Sequence, residues 1–318
     1  MGHARWERQH LEKTSDYDRL ASDPEFFFKQ HPQKVIFDEA QDLPALFPTL
    51  RGVIDSDRGQ KGRFILTGSS SPELLEQISE SLAGRIAIIE LGTLKANEFY
   101  HQPLSHFYDL LKKPLSKKNV KISSTPLTFE QIQQFWLKGG YPEPILGNDG
   151  FYQEWMANYQ ATYINRDIAK LFPKLDKSAY RRFINMLGKL SSKIINKSDL
   201  ARSIGVTEPT IRHYLDIAIG TFLWRQLPSY DRNTSKSIVK MPKGHIRDSG
   251  LLHHILHIDT LEKLQNDPIV GFSFEAFVIE EILKGIQDAR IKNVDAYYYR
   301  TRSGAEIDLI LEGQFEIL

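Results

Sequence analysis

Two adjacent carboxylates, Asp38 and Glu39, follow an apolar run at residues 35–37. A continuous apolar run of this kind suits a strand buried on both faces of a parallel sheet. Acidic side chains at the carboxyl end of such a strand emerge where open α/β sheets bind ligands. One carboxylate can hold a magnesium ion through water, and the next can orient or deprotonate an attacking water. The alternative is a strand end followed by a solvated acidic turn.

A second pair of carboxylates, Glu275 and Asp308, lies near the C-terminal end. The pattern predicts a helix at residues 272–283 and a strand at 306–311. A helical glutamate and a strand aspartate resemble the restriction-endonuclease-like fold, in which a later Glu-x-Lys completes a metal site for phosphodiester cleavage. No Glu-x-Lys follows Asp308, so the charge that stabilises an attacking hydroxide is missing and we expect an incomplete site. Alternatively, Asp308 and Glu306 are turn and strand-face charges.

A third candidate region is a helix-turn-helix pattern at residues 198–215, where Gly205 supplies the left-handed turn. A strand at 222–227 follows, as in a winged helix. The candidate DNA contacts on the second helix are Thr207, Thr210, Arg212 and His213. Thr207 also caps that helix.

Positive charge is concentrated around this pattern. Residues 174–216 carry nine Lys or Arg and four Asp or Glu, and residues 231–247 carry five and one. The local net charges are therefore +5 and +4, which is typical of segments that contact DNA phosphates. The alternative is a winged helix used for packing, with Glu208 at the helix start repelling phosphate.

The elements around Asp38 alternate between strand and helix patterns. A strand at 63–70 ends in small hydroxyl residues, with helical spacing before it at 46–54. A helix at 72–82 and a third apolar run at 86–91 follow. This order implies right-handed crossovers and a parallel sheet. Residues 1–18 are polar and read as a frayed end or the remnant of a domain edge.

Several sequence words resemble one family, the bacterial AAA+ ATPases joined to a C-terminal domain of unknown function. The words are V-I-F-D-E-A, F-I-L-T-G-S-S, S-E-S-L-A-G-R-I, G-G-Y-P-E, R-D-S-G-L and R-T-R-S-G-A-E-I-D-L-I-L. The resemblance implies that Asp38 and Glu39 are the Walker B pair and that Thr67 to Ser69 is the sensor region near the γ-phosphate. It also implies ATP and Mg²⁺ as cofactors, and Arg85 as an arginine finger across a homo-oligomer interface. The alternative for Arg85 is an ion pair at a strand start.

The sequence departs from this family at the phosphate loop. Such a loop reads G-x-x-x-x-G-K-[ST] and lies upstream of Walker B. The sequence contains no match, since Gly188-Lys189 is followed by Leu190 and only 34 residues precede Val35. We therefore expect impaired nucleotide binding and hydrolysis, in a chain that looks truncated at both ends relative to the family.

Composition limits the class of protein. Lys plus Arg number 41 and Asp plus Glu number 40, so only local patches can favour nucleic acid. Without cysteine, disulfides and cysteine-ligated zinc are excluded, and a cytoplasmic setting is favoured. No apolar run approaches the length of a membrane span, so we expect no membrane partner. His253 and His257 lack the glutamate of a zinc-protease motif and read as surface or packing residues.

The predicted fold class is α/β, in four parts. They are a partial AAA+ parallel-sheet domain at 1–96, a helical lid at 97–172, a winged helix at 173–240 and an incomplete restriction-endonuclease-like α/β domain at 241–318. The predicted function is that of an AAA+ ATP-binding protein of the ATPase type. The alternative is a DNA-binding winged-helix protein with a degenerate nuclease-like domain.

Overall fold

The protein contains two compact units, Met1–Glu90 and Leu91–Leu318. The structure is a computed structural model that describes residues 6–68, 80–114, 126–163, 168–230 and 241–318. Three three-stranded sheets are present in these residues, one of them in the N-terminal unit and two in the C-terminal unit.

The N-terminal unit is built on a parallel sheet. Its strands are β1 (Glu7–His10), β2 (Val35–Asp38) and β3 (Phe64–Leu66), paired in the order β1-β2-β3. The helices are α1 (Thr14–Ser22), α2 (Pro24–Gln30) and α3 (Leu46–Ser56), and a 3₁₀ turn spans Ala40–Asp42. The predicted parallel α/β sheet is confirmed.

An aromatic core holds this sheet against its helices. Phe37 on β2 is buried, and its ring centroid lies 6.2 Å from that of Phe27 and 5.8 Å from that of Phe28. Asp23 caps α2 by accepting a hydrogen bond from the Phe26 amide. Of the three consecutive phenylalanines of α2, Phe27 and Phe28 are therefore buried, whereas Phe26 is 55% exposed.

The polar segment at 1–18, which read as a frayed end or the remnant of a domain edge, contains the edge strand β1, which pairs with β2 from Glu7 opposite Val35 to His10 opposite Asp38. Of these two alternatives, the frayed end is wrong for the described part of the segment. The prediction of a third strand is also wrong. The apolar run at 86–91 forms no strand, and Ile89 is 83% exposed. An edge strand needs little apolar surface, whereas an apolar run still needs a backbone partner. Most of the predicted helix at 72–82 lies outside the described residues.

The C-terminal unit is mostly helical. Its helices are α4 (Ala96–Phe99), α5 (Phe107–Leu110), α6 (Phe129–Lys138), α7 (Pro142–Leu146), α8 (Asp149–Thr162), α9 (Ile168–Leu171), α10 (Lys177–Lys189), α11 (Lys197–Ile204), α12 (Glu208–Gly220), α13 (Ser249–Ile255), α14 (Leu261–Asn266) and α15 (Val270–Asp288). Its strands are β4 (Lys193–Ile194), β5 (Trp224–Leu227), β6 (Lys243–Ile246), β7 (Asp295–Arg300), β8 (Glu306–Gly313) and β9 (Glu316–Ile317).

Local sequence signals set several of these helix ends. Thr128 and Gln131, spaced as Thr-x-x-Gln, form a capping box at the start of α6. Gly205, at φ 80°, ends α11 in the left-handed conformation, and Thr207 caps α12. These signals depend on neighbours within a few residues, which is why the sequence predicts them.

Two antiparallel sheets join distant parts of this unit. Their strand orders are β4-β6-β5 and β7-β8-β9. Because Leu227 on β5 pairs with Lys243 on β6, the first sheet crosses the predicted domain boundary at residue 240. Beyond β5 the chain runs along β7, where the Tyr230 amide donates to the Tyr298 carbonyl at 2.7 Å. This connection brings β6 close to the C-terminal hairpin.

No helix within the described ranges is both long enough and apolar enough to cross a membrane.

Candidate functional site

Asp38 lies at the carboxyl end of β2, at the edge where the sequence predicts ligand binding. Thr67, just beyond β3, donates a hydrogen bond from its hydroxyl to Asp38 Oδ1. From β1, Arg8 Nη2 lies 3.1 Å and His10 Nδ1 3.0 Å from Asp38 Oδ2. The hydrogen bond from the Thr67 hydroxyl has the largest effect on the pKa of Asp38 and lowers it. Burial has the next largest effect and opposes it, but the charges of Arg8 and His10 add to the lowering, so the pKa lies below its usual value. Asp38 is thus an ionised carboxylate contacted from both neighbouring strands.

The turn after Asp38 is fixed to the end of β3. Glu39 adopts a left-handed backbone conformation at φ 57°, which is uncommon for a residue with a side chain. The Ala40 amide then donates to the Thr67 carbonyl at 3.0 Å. The Gln41 amide nitrogen donates to Glu39 Oε2, so the Glu39 carboxylate is also oriented by the turn.

The donor atoms at this edge fit magnesium in kind. Mg²⁺ prefers oxygen ligands and is usually bound through one or two carboxylates together with substrate phosphates. Asp38 supplies a carboxylate and Thr67 a hydroxyl oxygen, and the Asp38 side chain is 23% exposed. No cluster of three or more His, Asp or Glu arranged for a metal occurs in the part of the chain that the structure describes. This edge therefore offers half of a nucleotide-metal site rather than a complete cage.

The other residues assigned to this site by resemblance are not gathered around Asp38. Ser69 lies outside the described residues. Arg85 Nε and Nη2 each lie 2.8 Å from the Asp55 carboxylate of α3, a two-pronged ion pair. This is the structural alternative for Arg85, and its role as an arginine finger stays a prediction.

Three residues at this edge, Arg8, His10 and Gln41, were not predicted from the sequence. Arg8 and His10 are two residues apart, but Asp38 contacts them only because β1 pairs with β2 in this register. All four residues of β1 are polar, so no alternation of apolar and polar side chains marks this strand in the sequence. The glycine at position 68 is a sequence feature that fits the position of Gln41. A Cβ at Gly68 would lie 2.2 Å from Gln41 Oε1.

The second candidate pair, Glu275 and Asp308, is brought together by a lysine. Lys243 Nζ lies 2.6 Å from Glu275 Oε1, 2.7 Å from Glu306 Oε1 and 3.1 Å from Asp308 Oδ1. The Lys243 side chain is only 4% exposed, whereas that of Asp308 is 56% exposed. The expectation that this cluster lacks a lysine charge is therefore wrong, because β6 supplies one from earlier in the chain.

The charges in this cluster perturb one another. Burial raises the pKa of Glu275 to about 7, with Asp308 and Glu306 adding to the rise and Lys243 opposing it. Burial acts to lower the pKa of Lys243, but its contacts with Glu275 and Glu306 outweigh that effect and raise it. One ammonium among three carboxylates leaves excess negative charge, so one carboxylate holds its proton more readily.

A neighbouring buried carboxylate, Glu280 on α15, forms a second ionic contact with the β5 and β6 region. It accepts hydrogen bonds from Arg225, and His245 Nε2 lies 3.0 Å from its Oε1. Burial would raise the pKa of Glu280, but Arg225 and His245 hold it far below its usual value. Arg247 Nε lies 3.4 Å from the same carboxylate.

The candidate DNA contacts lie on the amino-terminal half of α12. Thr207, Arg212 and His213 are exposed, and Thr210 is half-buried. Arg212 lies 2.6 Å from Glu208, so the acidic residue at the helix start is paired on the same helix. His213 packs edge-on against Phe172 at 5.7 Å between ring centroids.

A cavity of about 490 Å³ opens beside this part of α12. Lys174 and the apolar Phe172 line it together with Thr210 and His213. The second basic segment contributes less charge than its sequence suggests, since Lys243 contacts Glu275 and Arg247 contacts the buried Glu280. Its cations at positions 232, 236 and 240 lie outside the described residues.

Two of the family words contact each other. Asp248 of R-D-S-G-L accepts hydrogen bonds from the Gly140 and Leu251 amides, each at 2.9 Å. A Cβ at Gly139 would lie 2.2 Å from Asp248 Oδ1, and Gly139 has a φ of 71°. G-G-Y-P-E and R-D-S-G-L are therefore packing partners in this unit.

His253 is buried, so of the two alternatives predicted from the sequence, a surface or a packing residue, it is a packing residue. Its Nδ1 lies 2.9 Å from the Leu137 carbonyl, to which it donates, and its Nε2 lies 2.7 Å from Ser273 Oγ. Because Trp136 Nε1 donates to that same oxygen, the Ser273 hydroxyl donates to His253. Burial lowers the pKa of His253 to about 4, so the imidazole is neutral at pH 7.

Known families match three parts of the chain. The AAA domain model matches residues 5–100. Two models described as domains of unknown function, DUF8612 and DUF4143, match residues 129–262 and 270–318. The AAA match at one end and the DUF4143 match at the other support a protein similar to AAA-type ATPases.

Curated relatives match most of the chain. The uncharacterized proteins Mb2031c of Mycobacterium bovis and Rv2008c of Mycobacterium tuberculosis are each 32% identical over 302 residues, which is 95% of this chain and 60% of theirs. An uncharacterized protein of Haemophilus influenzae is 22% identical over 197 residues, covering 60% of this chain and 45% of that protein. No solved structure matches. The chain thus spans about 60% of the length of the mycobacterial relatives.

Proposed function

We propose that this protein is an AAA-family protein of the ATPase type, in which Asp38 binds magnesium with ATP. The observation that carries the proposal is the contact between Asp38 and Thr67 at the carboxyl edge of a parallel sheet. The AAA match over residues 5–100 supports it. Since the 318 residues contain no phosphate loop, we infer weak nucleotide binding and little hydrolysis by this chain alone.

Each residue at this edge has a role in the proposed reaction. Magnesium, when bound, neutralises phosphate charge. Asp38 would hold it, and Arg8 and His10 would then release Asp38 Oδ2. Glu39 would orient the attacking water, with its own carboxylate held by Gln41. Thr67 would sense the γ-phosphate by exchanging its hydrogen bond to Asp38 for one to phosphate.

Titration of a fluorescent ATP analogue with Mg²⁺ into the chain tests this proposal. We expect weak, saturable binding that Asp38→Ala abolishes, because the substitution removes the metal-binding carboxylate. Asp42→Ala is the matched control, since Asp42 is a carboxylate of the adjoining 3₁₀ turn rather than of the strand end. An absence of binding at high micromolar protein, or equal binding by wild type and Asp38→Ala, would contradict the proposal.

A second candidate function is DNA binding by a winged helix formed from α11, α12, β5 and β6. The observation that favours it is the exposure of Thr207, Arg212 and His213 on α12, with Lys174 beside the same face. Helix-turn-helix proteins contact base edges from the amino-terminal half of their second helix. Arg212 would contact a phosphate or a base edge once its ion pair with Glu208 is broken.

Fluorescence anisotropy with duplex DNA at several salt concentrations tests the second function. We expect Arg212→Ala to weaken binding by about 3- to 10-fold and to reduce the salt slope by about one, since a phosphate contact is lost. Lys263→Ala is the control. Lys263 lies on α14, away from α12 in the sequence, and forms a comparable exposed ion pair with Asp259. Equal losses in both variants, or binding that does not depend on salt, would rule out α12 as the contact.

A further inference from the structure

The buried ammonium group of Lys243 lies among three carboxylates from two separate elements. Glu275 is on α15, and Glu306 and Asp308 are on one face of β8, two residues apart. Lys243 reaches them from β6, in a sheet that otherwise belongs with α11 and α12. The closest contact is 2.6 Å and the longest 3.1 Å, so a single ammonium group contacts all three side chains.

Lys243 supplies positive charge at the point where the three carboxylates converge. Three carboxylates that converge repel one another unless a positive charge lies between them. The lysine side chain is nearly fully buried and is directed into the cluster, and Arg300 lies 3.4 Å from Glu306 on its outer side. In the described residues, these side chains do not form a group able to hold a metal ion.

We propose that the ammonium group of Lys243 takes the place of a divalent metal ion at this cluster, and thereby fastens β6 to α15 and β8. The cluster is then closed to metal while Lys243 is in position. This role differs from that of a nuclease lysine, which accompanies a metal instead of replacing it. It is also independent of nucleotide binding at Asp38 and of DNA binding by α12.

Removing the lysine tests the proposal. All variants carry Asp38→Ala, so that metal at the first candidate site does not contribute. We expect Lys243→Ala to lower Tm by roughly 5–15 °C, because Glu275, Glu306 and Asp308 lose the buried cation that neutralises them. Mn²⁺ should restore at least several degrees of that loss and bind this variant, as measured by the electron paramagnetic resonance of free Mn²⁺. The parent with Lys243 should neither bind Mn²⁺ at the cluster nor gain Tm.

Two control variants distinguish the loss of the lysine charge from the loss of its side-chain volume, and test whether Glu306 is a metal ligand. Lys243→Met removes the charge but keeps most of the volume, so Mn²⁺ should restore it less than Lys243→Ala. Adding Glu306→Gln to Lys243→Ala removes one ligand and should abolish the Mn²⁺ effect.

Two results would overturn the proposal. The first is Mn²⁺ binding by the parent that Glu306→Gln abolishes, since Lys243 then does not exclude metal. The second is a Lys243→Ala variant that binds no Mn²⁺. If that variant fails to fold in sodium buffer, refolding with Mn²⁺ decides the matter: recovery supports the proposal and failure overturns it.

Discussion

At the scale of single residues, the chain places ionisable groups in environments that fix their charge. Glu280 stays ionised although it is buried, because Arg225 and His245 contact it. His253 stays neutral, because it is buried between a carbonyl and a hydroxyl that suit one neutral tautomer. Each group therefore links the stability of the fold to pH in a definite direction.

His253 gives the clearest pH dependence. Its folded pKa of about 4 lies below the usual 6.5, so the unfolded chain binds a proton that the folded chain refuses. The stability due to neutral His253 is complete above pH 6.5 and is lost as pH falls from there to about 4. The 2.5-unit difference corresponds to about 3 kcal/mol of unfolding free energy.

Urea unfolding between pH 7.5 and about 4.5, followed by tryptophan fluorescence, checks this value. Trp136 is a suitable reporter because its ring centroid lies 6.0 Å from that of His253. His253→Gln cannot gain the proton, so its unfolding free energy should decline less steeply with acid. Parallel declines in wild type and variant would show that His253 does not cause the pH dependence.

At the scale of elements, backbone proximity decides which helices can pack. Gly250 at the start of α13 lies against the end of α6, and a Cβ there would be 2.0 Å from the Lys138 carbonyl oxygen. Helix α6 ends at Gly139, whose φ of 71° suits glycine. The contact between α6 and α13 therefore requires glycine in both motifs, at Gly139 of G-G-Y-P-E and at Gly250 of R-D-S-G-L.

Gly250→Ala should therefore be destabilising by about 2–3 kcal/mol, because the backbone of α6 or α13 must shift to admit a methyl group. Gly271→Ala is the matched control on α15, where nothing lies within 4 Å of the added Cβ. That control should be stabilising by about 0.5–1 kcal/mol, since alanine favours helix over glycine. Urea denaturation of both variants measures the difference, and similar values for the two would contradict the close approach.

At the scale of the whole molecule, residues 91–318 have their own buried core. Phe183, Tyr214 and Trp224 belong to one cluster of buried side chains around α10 to α13. Phe135 and Leu264 belong to another, between α6, α14 and α15. Burial of this extent supports a cooperative fold, because it is the main favourable term in folding.

A fragment of residues 91–318 should therefore unfold cooperatively in urea, with near-ultraviolet circular dichroism typical of fixed aromatic side chains. It should also keep the DNA affinity of the full chain if α12 is the contact. A broad transition with strong binding of a hydrophobic dye would show instead that the fragment is only partly folded.

The sequence by itself determined the elements whose signals are local. The strand at 35–38, the capping box at Thr128, the turn at Gly205 and the long helix containing Glu275 follow from apolar spacing and caps within a few residues. It also identified the acidic residues of both candidate sites, because carboxylates beside apolar strands stand out.

Only the tertiary structure decided which cations meet those carboxylates. Lys243 and Asp308 are 65 residues apart, and Arg8 reaches Asp38 through the pairing of β1 with β2. No local pattern marks such partners, since they are chosen by sheet register and by the connection from β5 to β7. The same reason explains why the apolar run at 86–91 was wrongly predicted as a strand: side-chain pattern is local, whereas strand pairing depends on distant backbone.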